Sequence, residues 1–81
     1  MSSIVLPPPE VRRAIRRAAG CSMADLAAEM HVSRQSISFW ERGLIEPSGA
    51  HASEYVVLLD RLRAEAAATL ASAEDTTRRT A

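Results

Sequence analysis

The sequence predicts an all-α fold: a compact helical bundle with helices at about 9–19, 23–30 and 34–42, and a long C-terminal helix at about 52–73. Three observations carry that expectation. Fifteen of the 81 residues are alanine and only Phe39, Trp40 and Tyr55 are aromatic, a balance that favours helices over a sheet sandwich. Apolar residues recur at spacings of three and four along the chain. Ser22, Ser33, Gly20 and Gly43 stand where helices start and stop.

Residues 1–8 are expected to form an extended arm, because the prolines at 7–9 exclude helix from the residues before them. Pro8 or Pro9 suits a first helical turn and opens the first helix. Val11, Ala14, Ile15 and Ala18 form its expected apolar face, with Arg12, Arg13, Arg16 and Arg17 on a solvated opposite face. Gly20 ends it. Ser22 caps the next helix, with Asp25 in the favourable first turn and Met23, Leu26, Ala27 and Met30 turned inward. A second cap at Ser33 leaves only His31 and Val32 for a tight turn. Ile37 and Trp40 share the inner face of the third helix, Arg34, Gln35, Ser38 and Phe39 point elsewhere, and Gly43 closes it. Two short capped helices joined by so short a turn have the form of a helix-turn-helix.

Residues 44–50 read as a loop around Pro47–Ser48–Gly49. Tyr55, Leu58, Leu59 and Leu62 then give the last helix a strong apolar face, which thins beyond Arg63 to alanines and Leu70. The final EDTTRRTA has nothing to bury and is expected to fray. The chain thus divides into an arm at 1–8, a domain at 9–62, and an alanine-rich extension and tail at 63–81.

Eighty-one residues suit one small domain and leave no room for a multi-domain enzyme. All ten basic residues are arginine and the formal net charge is zero, which at first weighs against a nucleic-acid partner. The neutrality is a cancellation: residues 1–43 hold six arginines against four carboxylates, and residues 44–81 hold four against six. The lone Cys21 excludes an internal disulfide framework and fits a reducing cytosol. Neither a membrane span nor a secretory signal is evident, so a cytoplasmic protein is expected. Cys21, His31 and His51 fall into no metal-binding or nucleophile spacing; no catalysis, metal or cofactor is expected.

The stretch CSMADLAAEMHVSRQSISFWERG resembles the helix-turn-helix of phage Cro and repressor proteins, the Xre type. The resemblance spans roughly residues 10–62 and is densest at 22–43. Leu26, Met30, Val32, Ile37 and Trp40 occupy that family's buried slots, and Ala27 stands where a small side chain lets two helices cross closely. Ser33 caps the third helix and Glu41–Arg42–Gly43 matches its characteristic end. The resemblance implies a lambda-repressor-like bundle whose third helix enters the major groove of double-stranded DNA. By position it implies base reading by Arg34, Gln35, Ser38 and Phe39, and backbone contact by Ser22, Ser33, Ser36 and Arg42. Arg16 and Arg17 are candidate flank contacts, although solvation is the simpler expectation for the basic face of the first helix. Two positions depart from the pattern: Met23 replaces a phosphate-contacting glutamine, and His31 replaces the turn glycine.

Such proteins act as sequence-specific transcription regulators and usually bind near-palindromic operators as homodimers, so a small Cro-like repressor, phage or prophage in type, is implied. Tyr55, Leu59, Leu62, Ala66 and Leu70 are the expected interface, with the arm residues Ile4, Val5 and Leu6 as the other candidate. The alternative is an antitoxin-type module, its C-terminal helix holding a partner protein while the helix-turn-helix autoregulates its promoter.

Overall fold

Residues 5–79 are described by a computed structural model, their side chains as far as Glu74. Ile4 of the arm and residues 80–81 of the tail lie outside the described residues. The elements are α1 (Pro9–Ala18), α2 (Met23–Met30), α3 (Arg34–Arg42) and α4 (Ala50–Arg79), with no strand among the described residues. Helix α1 packs on α3 and α4, and α2 packs on α3 and α4.

The expected caps form. Pro8 precedes α1 and Pro9 sits in its first turn, where a missing N–H costs nothing. Ser22 Oγ accepts from the Asp25 N–H at 3.0 Å and the Asp25 carboxylate accepts from the Ser22 N–H at 3.2 Å, a reciprocal box that starts α2. Ser33 Oγ accepts from the Ser36 N–H at 3.1 Å and starts α3. His31 takes the left-handed conformation the turn demands, with φ +56°, and its N–H reaches the carbonyl of Ala28. Histidine adopts this geometry at a cost that glycine avoids.

The buried face of α1 is rotated from the expected one. Arg12, Ile15 and Arg16 are buried and Val11 and Ala19 half-buried, while Ala14 and Ala18 are exposed. The spacing of three and four holds, but the stripe is centred on Ile15 and flanked by two arginines. Their long apolar stems pack beside Ile15, and their charged heads find carboxylates across the bundle. Arg16 donates from Nε to Glu41 Oε2 at 2.6 Å and from Nη2 to Oε1 at 3.0 Å, with Nη1 on the Cys21 carbonyl at 2.9 Å. The hydrogen bond that Arg16 donates to Glu41 holds its guanidinium above the ordinary pKa despite the opposing effect of burial.

Arg12 is 3% exposed and ties three segments together. It donates to the Pro7 carbonyl at 2.8 Å, the Trp40 carbonyl at 3.0 Å, and both oxygens of Glu46 at 3.1 and 2.9 Å. One side chain thereby joins the incoming arm, a C-terminal carbonyl of α3 that no intrahelical N–H can reach, and the loop before α4.

The core comprises Ile15, Leu26, Ala27, Met30, Ile37, Trp40, Tyr55, Leu58, Leu59 and Leu62. Trp40 packs at 5.2 Å between ring centroids from Tyr55 and at 5.8 Å from His51. Tyr55 is fully buried, and burial first, then the Glu41 charge, push its phenol up to about 12. Three residues expected at an interface, Tyr55, Leu59 and Leu62, are therefore core residues: α4 must cover α1 and α2 before it can meet anything else. Leu6 of the arm also packs against this core, and Val5 is exposed.

Helix α4 starts at Ala50, after Gly49 in the left-handed region, with the Ser53 N–H on the Gly49 carbonyl. It continues to Arg79 rather than ending near 73. The stretch from 74 to 79 expected to fray is helical; extending a helix that has already formed needs no new nucleus.

Candidate nucleic-acid interface

Helix α3 is held from beneath by Ile37 and Trp40, both buried, and at its ends by the Ser33 cap and by Gly43. Gly43 has φ +74°, and a Cβ there would stand 3.2 Å from Pro9 Cγ, so the close of α3 packs directly on the start of α1. These constraints fix which side of α3 faces out. Arg34, Gln35 and Arg42 are exposed, and Ser38 and Phe39 are half-buried. Together with Met23 of α2 they line one shallow concavity. The four residues expected to read bases are thus brought together with Arg42 on a single surface.

The expected backbone contacts are arranged less uniformly. Ser33 and Ser36 share an Oγ–Oγ hydrogen bond of 3.0 Å, so both hydroxyls already serve the cap. Ser22 likewise serves its capping box, which leaves the N–H groups of Met23 and Ala24 in the first turn of α2 beyond any intrahelical carbonyl. Arg17 is exposed. Arg16 is not a free flank residue: 8% exposed, it is committed to Glu41.

Glu41 and the two buried arginines are what sequence reasoning missed. The signal was present in the positions: Arg12 lies three before Ile15 and four before Arg16, and Glu41 lies four after Ile37, so all three border core-facing stripes. A charge run on one helix reads as a solvated face unless its partner on another helix is sought.

A separate concavity between α2 and α4 is lined by Cys21, Asp25, Glu29, Arg61 and Glu65 among others. Arg61 pairs with Glu29 at 3.4 Å and with Glu65 at 3.6 Å. Burial, then the Asp25 charge, raise the Cys21 thiol above its ordinary pKa. Among the described residues no group of three or more His, Cys, Asp or Glu side chains could hold a metal, and no helix is long and apolar enough to cross a membrane.

Comparison with known families agrees with this geometry. A family model described as Helix-turn-helix matches residues 13–64, from within α1 to the middle of α4. Neither the curated proteins nor the solved structures yield a match. The matched segment is well over half of the chain and contains both capped helices, the His31 turn and the outward face of α3; the chain belongs to the Xre-type helix-turn-helix family of DNA-binding transcription regulators.

Proposed function

We propose that the protein is a sequence-specific regulator that sets α3 into the major groove of a near-palindromic operator and binds it as a homodimer. The observation that carries this reading is the single surface formed by Arg34, Gln35, Ser38, Phe39 and Arg42 on a helix fixed at both ends. Arg34 at the start of α3 suits bidentate donation to guanine O6 and N7, and Gln35 suits adenine N6 and N7. Phe39 offers a ring edge to a thymine methyl, and Ser38 a short hydroxyl. Arg42 and the first turns of α2 and α3, with Ser22, Ser33 and Ser36, address phosphates.

The dimer reading rests on α4. Beyond Leu62 the helix continues for 17 residues, about 25 Å, past the last core residue. Leu70 on that overhang is 62% exposed, and Ala66 before it is half-buried. Two overhangs paired antiparallel about Leu70 place the Leu58 positions of the two domains about 36 Å apart along the helix. Half-sites one turn of B-DNA apart require the two α3 helices about 34 Å apart, and the overhang is long enough to separate two domains by a distance of that order.

Selection of bound duplexes from a random pool, with sizing of the complex, tests the whole reading. A palindromic consensus bound by two copies supports it. Gln35→Ala is expected to relax preference at one or two base pairs by roughly 1–3 kcal/mol, and Leu70→Glu to yield a monomer with weakened operator binding. A wild-type monomer whose α4 orders only with a co-expressed protein would instead favour a partner-binding module.

A further inference from the structure

The arginines of α1 divide into two pairs with opposite fates. Arg12 and Arg16 are buried and neutralised by Glu46 and Glu41. Arg13 and Arg17, one residue further round the helix, are exposed and have no carboxylate partner among the described residues. They are four apart, hence on one face and one turn apart. They line a recess whose other walls are Met23, Ser38, Arg42 and the paired Arg16 and Glu41. Met23, Ser38 and Arg42 also line the concavity of Arg34, Gln35 and Phe39, so the two hollows are one continuous surface.

We infer that Arg13 and Arg17 form, with Arg42, a clamp for the DNA phosphate backbone beside the reading helix. The inference rests on the proposed insertion of α3 into the major groove and adds residues of α1 to that interface. Charge complementarity carries it. The one carboxylate bordering the recess is Glu41, and both of its oxygens are taken up by Arg16. Four unpaired arginines, Arg13, Arg17, Arg34 and Arg42, therefore share a surface that carries no free negative charge. The Met23 thioether offers no hydrogen-bond donor, so the charged donors open to a phosphate seated there are the guanidinium groups around it. A duplex backbone fits better than a lone anion, because the recess opens directly onto the base-reading side chains.

Arg13 and Arg17 are exposed and outside the core, so replacing them leaves the fold intact, which circular dichroism confirms independently. The probe is the duplex selected from the random pool, titrated at several salt concentrations. Each lost phosphate contact lowers the slope of log affinity against log salt by about 0.9. Arg13→Ala/Arg17→Ala is expected to reduce the slope by up to about 1.8 per bound copy, hence up to about 3.6 for two copies on the selected duplex, while leaving the selected consensus unchanged. Arg13→Lys/Arg17→Lys is expected to restore most of it. An unchanged slope in the double alanine variant overturns the clamp. So does stronger displacement of the duplex by inorganic phosphate than by chloride at equal ionic strength, which would mark a free-anion site. If the wild type binds no duplex in a salt-dependent way, the DNA-binding reading itself fails, an outcome distinct from failure of the clamp.

Discussion

Replacing Glu41 by alanine removes both acceptors of the Arg16 guanidinium and leaves its charge in a site that is 8% exposed. Only the Cys21 carbonyl, at 2.9 Å from Nη1, remains as a partner. Breaking a buried pair from one side costs about 3–5 kcal/mol, since the remaining charge has lost both its counter-ion and its water. A domain of this length has a total stability of about 4–12 kcal/mol, so the loss is at least a quarter of what holds it folded. With a urea slope of about 1–1.5 kcal/mol/M, the unfolding midpoint should fall by about 2–5 M, or the variant should be unfolded outright. Trp40 is the only tryptophan and is buried within the same core, so its fluorescence reports the transition directly, with helical circular dichroism as the second probe. Arg16→Met/Glu41→Leu, which removes both charges and fills the space, should recover most of the loss or exceed the wild type. The reasoning is refuted if Glu41→Ala stays within 1 kcal/mol of wild type, or if the double variant is no better than the single one.

Three further outcomes follow from backbone geometry and burial. His31→Gly should stabilise by about 0.5–1 kcal/mol, the relief of left-handed strain less the added chain entropy; a lower melting temperature would contradict the assigned turn. Gly43→Ala should destabilise by about 1–2 kcal/mol through its φ of +74°, with further loss from the 3.2 Å approach to Pro9, and unchanged urea unfolding would show that the α3–α1 junction yields easily. The Tyr55 phenol is raised to about 12 in the folded state, so between pH 10 and 12 the unfolded chain ionises first and stability falls as pH rises. Tyr55→Phe removes this component; its hydroxyl has no hydrogen-bond partner among the described residues, so the variant should match or exceed the wild type at pH 8 and pull ahead by pH 11. A constant offset between the two across that range would sink the assignment.

The elements were legible because the signals that specify them are local. Ser22, Ser33 and Gly43 fix three helix boundaries through bonds that span three to five residues, and such bonds are written in the sequence as residue types at fixed offsets. The membership of the α3 face was legible for the same reason: once Ile37 and Trp40 point inward, Gln35 and Ser38 cannot, and Arg34 is exposed where the helix begins. What failed were inferences that needed a partner from elsewhere in the chain. Arg12 and Arg16 carry the same side chain as Arg13 and Arg17, and only the positions of Glu46 and Glu41, 34 and 25 residues away, decide which pair is buried. The apolar stripe on α4 gave a similar difficulty. Its residues obey one spacing from Tyr55 to Leu70, yet α1 and α2 cover only the part up to Leu62. The spacing alone carries no mark of where the domain ends and the overhang begins.

That distinction changes what zero net charge means for this protein. Non-specific attraction to DNA depends on charge that is unpaired and gathered on one surface, not on the sum over the chain. Burying Arg12 and Arg16 against Glu46 and Glu41 removes two positive charges and two negative ones from electrostatic competition, and leaves the sum unchanged. Arg61 is similarly occupied by Glu29 and Glu65 on a different concavity. Arg13, Arg17, Arg34 and Arg42 remain free along one continuous surface. A surface of four charges is enough to orient a duplex. Binding that rested on these charges alone would be sequence-independent and would weaken as salt rises, by about one unit of slope for each phosphate neutralised. On the proposed reading, discrimination by this chain rests on Arg34, Gln35 and Phe39, and on the spacing that α4 would impose on two copies.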